Sequence, residues 1–295
     1  MDMKRADLGL LLSLDVLLEE QHVSRTAQRL NLSQSATSNQ LARLRTWFDD
    51  PLLIPSDSGR GMILTPRAQV LKERLHAALQ GLRESIAPET FDPQRDARTF
   101  TLAANDNAFA ALVRPLGQAL LSEAPLLRLR CVAPDYGNIA SHMERGDLDL
   151  YVGAARMVPP SLKQRVLLRD HFCVARRSDD SSPMSLATYT KRAHVIVSPV
   201  GQFFSTIDTA LANLGHKRQV AVTVATYTQA ATMVAGSDAL VTLPGAFFNS
   251  LGFPLRVDPL PFSLQAFDYV MAWHPRVQEA PAHCWLRERL LATLS

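Results

Sequence analysis

Between Val23 and Phe48 the chain carries four arginines and no acidic residue, and it reads as two short helices around a polar turn. The run Arg25–Leu30 is helical in pattern, with Ser24 placed to cap it by accepting a hydrogen bond from the first free backbone N–H groups. Asn31, Leu32 and Ser33 break the run, and Ser33 is set to cap a second helix from Gln34 to about Phe48. Ala27 is small enough to let the two helices cross closely. On the second helix Thr37, Leu41, Leu44 and Phe48 share one face and make a buried stripe. The opposite face holds Ser35, Asn39, Ala42 and Thr46, flanked by Ser38 and Arg43. Short polar side chains free of acids suit the major groove of DNA, where amides and guanidinium groups reach base edges. An ordinary helical hairpin with a solvated face has the same pattern, so the surrounding sequence has to decide.

Upstream, Leu8, Leu11, Leu12, Leu14, Val16, Leu17 and Leu18 predict a first helix that covers both. Downstream, Asp50 to Gly61 holds the prolines and glycines of a small β-wing, after which Arg67 follows Thr65-Pro66. Within this unit Gln34, Ser35, Ser38 and Asn39 are the candidates for base contact. Thr26, Arg43, Arg45, Arg60 and Arg67 are the candidates for phosphate or minor-groove contact. Arg45 leans toward the buried stripe, and a structural salt bridge is the alternative for it.

These residues resemble a known family. Ala27, the segment Leu30 to Ser38, the segment Leu41 to Arg45, Phe48 to Leu52, Gly59 to Met62 and Thr65 to Ala68 look like the winged-helix domain of LysR-type transcriptional regulators. The Ser38-Asn39 pair, the wing and the later segment Arg169 to Arg177 look most like the branch of nodulation and aromatic-catabolism regulators. Two positions depart from the family pattern: Pro55 stands at the wing entrance where an arginine is frequent, and Ala36 replaces a frequent proline. Alanine inside a helix is harmless; the first departure removes one backbone contact.

The whole chain has 295 residues and a formal net charge of +3, and its first ninety residues are close to charge balance. Only the local acid-free stretch therefore speaks for nucleic acid. The leucine-rich start imitates an export signal, but Asp7 and Asp15 interrupt it and Glu19-Glu20 follow, so it reads as a helix of the mature protein. No apolar run nears the length that spans a bilayer. Cys131, Cys173 and Cys284 are too far apart for a zinc or redox pair. A cytoplasmic, reduced protein is expected, with no membrane association.

From Pro66, Ala68, Leu71, Leu75, Ala78, Leu82 and Ile86 recur by three and four residues, the seam of a coiled coil. Packing of that helix on its own domain is the alternative. The resemblance implies a linker helix through which subunits form a dimer or tetramer. Pro88 to Asp96 is polar, with two prolines, and marks a boundary. Beyond it, strand-like runs at Thr99–Ala103, Leu127–Val132, Leu148–Val152, His194–Ser198, Val220–Val224 and Ala239–Leu243 alternate with helical ones. That order predicts mainly parallel sheets covered on both faces. A crossing strand is expected between Leu167 and Arg176. Two lobes so joined resemble the periplasmic-binding-protein-like effector domain of the same family. The expected fold is thus α+β and multidomain: a winged helix-turn-helix over residues 1–65, a long linker helix over 66–90 and a two-lobed α/β effector domain over 91–295.

A ligand should sit between the lobes at the carboxyl ends of the strands. Asn105-Asp106-Asn107, the segment Pro199 to Phe204, Thr226-Tyr227-Thr228 and Pro244-Gly245 follow such ends. Asn105, Gln202, Phe203, Tyr227 and His171 are the effector-binding candidates the resemblance carries over. Each has an ordinary loop or core role as its alternative, and a lone strand histidine such as His171 is more often structural. The resemblance implies double-stranded promoter DNA, RNA polymerase and a small effector as partners, with aromatic acids and phenols among the effector classes.

Neither enzyme motifs nor metal spacings occur. The chain has no Gly-x-Ser-x-Gly elbow, no phosphate-binding P-loop, no His-Glu-x-x-His and no dinucleotide glycine pattern, and its eight histidines do not cluster. No catalytic residue, cofactor or metal is expected. A two-lobed solute-binding or enzymatic protein with a helical interaction domain is the alternative reading.

Overall fold

The computed structural model describes residues 5–57, 61–87, 89–250, 252 and 254–294. The chain divides into two compact units, Met1–Pro88 and Glu89–Ser295.

The first unit opens with α1 (Arg5–Glu20), α2 (Val23–Arg29) and α3 (Gln34–Phe48). Helix α2 starts two residues earlier than expected: His22 is its N-cap and makes no side-chain cap bond, so Ser24 lies inside the helix. Asn31 takes a left-handed φ of 53°, which asparagine tolerates better than most residues, and turns the chain toward α3. Ser33 then accepts from the Ala36 N–H at 3.1 Å, and α3 spans the predicted residues. Strands β1 (Leu53–Pro55) and β2 (Met62–Leu64) pair antiparallel, Leu53 opposite Leu64 and Pro55 opposite Met62. The wing tip, residues 58–60, lies outside the described residues. Leu14, Leu17, Leu18, Leu41, Leu44, Leu52 and Leu53 fill the core of the unit. Leu10 joins them, whereas Leu8 and Leu12 lie exposed.

Helix α4 (Pro66–Ile86) begins at Thr65, whose hydroxyl accepts from the Ala68 N–H at 3.0 Å, with Pro66 in the first turn where no N–H is needed. It ends at Ala87, which is extended, as the residue before a proline must be. The expected seam is split. Of its residues Ala68 and Leu75 are buried within the unit with Leu71 packed beside them, while Ala78, Leu82 and Ile86 are exposed; Leu79, off the expected seam, is buried as well.

The second unit holds two five-stranded sheets. Glu89–Asp96 is not a free linker, because Phe91 packs on Trp285 at 5.3 Å and Arg98 reaches Glu89 at 3.0 Å. Lobe one contains β3 (Thr99–Ala103), a helical segment made of α5 (Asp106–Ala108), a π-helical turn (Phe109–Val113) and α6 (Arg114–Glu123), then β4 (Arg128–Val132), α7 (Ile139–Arg145), β5 (Leu150–Ala154) and β6 (Lys163–Asp170). Lobe two contains β7 (Phe172–Arg177), α8 (Leu186–Lys191), β8 (Ala193–Val197), α9 (Thr206–Asn213), β9 (Gln219–Val224), α10 (Tyr227–Ala235), β10 (Leu240–Pro244), α11 (Gly245–Ser250) and β11 (Leu255–Pro259). The chain then returns to lobe one through β12 (Phe267–Trp273) and α12 (Pro281–Ala292).

The strand orders are β4-β3-β5-β12-β6 and β11-β7-β10-β8-β9. Both sheets are mixed rather than mainly parallel. Returning β12 runs antiparallel to β5 and β6, and β7 runs antiparallel to β10 and β11. Helices cover both faces of each sheet, with separate apolar clusters on the two sides. The single crossing strand expected near His171 is two strands in different sheets. They break there because the Asp170 carboxylate turns away to accept from the backbone N–H of His171 at 2.8 Å and of Ala246 at 3.1 Å.

Candidate DNA-reading face and effector cleft

Ser33 and the αL residue Asp49 bound α3, and burial of Thr37, Leu41 and Leu44 fixes its rotation. That rotation exposes Gln34, Ser35, Ser38, Asn39, Ala42, Arg43 and Thr46. Among the described residues Gln34, Ser38, Asn39 and Arg43 have no side-chain hydrogen bond within the protein, so their donors and acceptors are free for base edges or phosphate. Ser35 is held loosely by the Ser33 hydroxyl at 3.0 Å. Arg67 is exposed.

The arginines divide into two kinds, which the sequence pattern did not separate. Arg29 pairs with Glu19 at 2.8 Å and Glu20 at 2.9 Å, and Arg25 donates to the Glu20 carbonyl at 2.7 Å. The acid-free stretch thus receives its counter-charges from the end of α1. Arg45 corrects the expectation of a nucleic-acid contact or a salt bridge: it donates to the carbonyls of Pro51 at 2.8 Å and Leu53 at 2.6 Å and staples the wing entrance to α3. Beside it, Asp50 accepts from Thr65 and from the Leu52 N–H, each at 2.7 Å, bonds that hold its carboxyl below the usual range. Thr26 is also corrected. It is fully buried, with a hydroxyl that has no partner, and it reaches no phosphate from there. Arg60 lies outside the described residues.

In the second unit a cavity of about 170 Å³ opens between the lobes, at the carboxyl ends of β3, β4, β5, β9 and β10. Asn105, Tyr136, Arg156, Phe172, Tyr227 and Tyr269 carry its chemistry, with Ala154, Met157, Pro244 and Phe267 completing the wall. Three of the chain's five tyrosines line it. Tyr151 lies beneath, edge-on to Tyr136 at 6.4 Å, and its hydroxyl covers Gly153 so closely that any Cβ there would collide with it.

Burial pushes all four phenols up, Tyr227 to about 12, so they are neutral donors at ordinary pH. The Tyr269 oxygen accepts from Asn107 Nδ2, leaving its own proton for a ligand. Arg156 has no ion pair among the described residues and no carboxylate lines the cavity. The site is rich in donors and ringed by aromatic faces.

Two of the five expected effector residues, Asn105 and Tyr227, are in this wall. The other three lie elsewhere. His171 points outward with 71% of its side chain exposed, and Gln202 and Phe203 sit exposed on the loop after β8. Tyr136, Arg156, Met157, Phe172, Phe267 and Tyr269 were missed; for Arg156 the signal available was a lone cation directly after the end of a strand.

The two units define a class: a DNA-binding transcription regulator carrying its own small-molecule module. Residues 8–69 match the model described as bacterial regulatory helix-turn-helix protein, lysR family, and residues 93–295 match the LysR substrate binding domain. The chain belongs to the LysR family, and it is a ligand-responsive transcriptional regulator. The HTH-type transcriptional activator NagR of a Ralstonia species is 31% identical, with 100% of this chain and 99% of the relative covered. Nodulation protein D 1 of Mesorhizobium japonicum is 31% identical over 100% of this chain and 95% of its own length. The solved structure of a probable transcriptional regulator from Pseudomonas aeruginosa aligns with a TM-score of 0.62 at 31% identity, covering 97% of this chain and 96% of that one. Full-length CbnR complexed with its target DNA aligns at 0.60 and 15% identity, covering 97% and 99%, a likeness of fold alone. The Ralstonia relative is named a transcriptional activator and the Pseudomonas structure a probable transcriptional regulator, and none of the four is named as an enzyme. No helix among the described residues is long and apolar enough to cross a membrane.

Proposed function

We propose that the protein binds inverted-repeat promoter DNA as a dimer or tetramer through α3 and answers to a small aromatic anion in the interlobe cleft. Residues 1–65 read DNA, 66–90 join subunits and 91–295 sense the effector. In this reading Gln34, Ser35, Ser38 and Asn39 meet base edges, and Arg43, Arg67 and Arg60 meet phosphate. The single observation carrying it is the α3 face, where the exposed Gln34, Ser38, Asn39 and Arg43 make no side-chain hydrogen bond among the described residues. The apolar side chains left exposed on α4 support pairing of subunits. Such a protein works in the cytoplasm, with RNA polymerase as the partner its bound position affects.

For the effector, Asn105, Tyr136, Arg156, Tyr227 and Tyr269 are the contacts. A cavity of about 150 Å³ is enough for one benzene ring, so the 170 Å³ cleft fits a single substituted ring. Its free guanidinium and phenol protons select an oxyanion on that ring. Binding shifts the protein toward the lobe arrangement that holds the ligand more tightly, and with it the spacing of winged units on DNA.

Thermal-shift titration of the full chain with benzoate and with uncharged benzamide tests the cleft. Stabilisation by benzoate alone is expected; equal response to both refutes the anion site. Gel shifts test the DNA site: Asn39→Ala should relax preference at one base position, whereas loss of binding to all sequences alike would contradict a base-reading role.

A further inference from the structure

Asn105, Asp106 and Asn107 follow β3 as one short polar run, and each addresses a different part of the second unit. Asn105 caps its own helix, accepting from the Ala108 N–H at 2.8 Å, and lines the cleft. Asn107, fully buried, donates to Tyr269 on β12. Asp106 reaches the other lobe. Its Oδ2 accepts from the Thr228 backbone N–H at 3.0 Å and from the Thr228 hydroxyl at 3.3 Å. The carboxylate thereby sits on the first turn of α10, where the helix dipole favours negative charge.

Two carboxylates hydrogen-bond across the lobes, in different settings. Asp170 is buried at the crossover and holds Ala246, so it marks where the chain itself ties the lobes together. Asp106 acts away from that tie, in a contact open to solvent. The same seam carries Ala110, from the π-helical turn of lobe one, into the apolar cluster of lobe two with Ala230, Ala231 and Val234. A π-turn is an irregularity that recurs where helices serve function rather than packing alone.

We propose that the Asp106–Thr228 contact is a latch between the lobes that sets how far the effector cleft opens. Cleft-lining Asn105 and Tyr227 are the immediate chain neighbours of the two latch partners, so a ligand that displaces either one acts on the latch. The inference deepens the effector reading above and takes its cleft as the site being gated. A solvent-open, charge-assisted contact is strong enough to bias the lobes and weak enough to be exchanged.

Hydrogen exchange of the full-length, ligand-free protein tests it, comparing wild type with Asp106→Ala, Thr228→Val and the double variant. The latch predicts that Asp106→Ala speeds exchange about tenfold in both segments of the seam, residues 105–113 of lobe one and 226–235 of lobe two. Thr228→Val removes the hydroxyl bond and keeps the backbone one, so its effect should be smaller and should appear only where Asp106 is present. Faster exchange confined to residues 105–113 would mean local fraying of α5 and would overturn the proposal, as would no change in either segment. No effector is added, so this result is separate from the effector reading, whose failure would show as no binding of benzoate by wild type.

Discussion

Arg43 and Arg45 are two residues apart on one helix, yet the structure gives them opposite work, and substituting each by glutamine should separate stability from DNA affinity. Arg43 is exposed and makes no side-chain bond among the described residues. As a phosphate contact it releases counterions on binding, and each such contact contributes about 0.9 to the slope of log K against log salt. Two winged units engage a dimer site, so Arg43→Gln should flatten that slope by about 1.8. Its melting temperature should stay as in wild type. Arg45 holds two carbonyls at the wing entrance from a half-buried position. Hydrogen bonds from a charged donor are worth roughly 1.5–3 kcal/mol each when sheltered, and partial exposure reduces the pair to about 2 kcal/mol. Arg45→Gln should therefore lower the stability of the first unit by that amount, seen as an earlier first transition in urea. Its salt slope should remain that of wild type. Fluorescence anisotropy on one promoter fragment between about 50 and 200 mM salt measures the slopes. If Arg45→Gln flattens the slope as much as Arg43→Gln and leaves the urea transition in place, Arg45 reaches DNA and the division is refuted.

The buried, unpartnered hydroxyl of Thr26 makes Thr26→Val neutral or stabilising by up to about 1 kcal/mol, with unchanged DNA affinity; a loss of affinity by gel shift would return Thr26 to the DNA site. His194 is fully buried, its Nε2 donating to the Tyr189 carbonyl at 2.7 Å and its Nδ1 facing no partner. Burial pushes it down from 6.5 to about 4, so the unfolded chain binds the proton first. Stability is full above 6.5 and falls by about 3 kcal/mol as pH drops through the window toward 4. His194→Phe should flatten that part of the urea-stability profile, and an equally steep profile in the variant would remove His194 as the cause. In the cleft, Arg156→Met should abolish stabilisation by benzoate while His171→Ala leaves it unchanged; the reverse order would move the anion site out of the cavity.

How far the sequence reached depends on the range of the forces involved. Helix α3 was readable to the residue because a serine cap, an unbroken run of helix-compatible residues and a spaced apolar stripe all act within a few positions. The same local signals misplaced Ser24, since burial of Thr26 and Ala27 against the neighbouring helices draws the start of α2 back to Val23. Strands β11 and β12 went unseen. Their pairing partners stand about eighty residues or more away in the chain, as Val257 opposite Ala175 and Met271 opposite Val152 show, and no local period announces them. The cleft suffered most, because its wall is gathered from Asn105, Tyr136, Arg156, Phe172, Tyr227, Pro244 and Tyr269. Asn105 and Tyr227 were found through strand ends; Tyr269 arrives on the returning strand whose existence was itself missed. The arginines of α2 show the same limit, since Glu19 and Glu20 neutralise them from just outside the stretch that had been read as acid-free.

Footprinting of the full-length protein on promoter fragments, at fixed salt and with excess non-specific competitor, tests the central claim most directly. Protection of a sequence-specific inverted repeat is predicted, with its extent or the DNA bend changing on addition of a ring acid that binds the cleft. Protection no stronger than on competitor DNA, or a footprint that stays identical with the cleft saturated, would contradict a ligand-controlled regulator that reads DNA through α3.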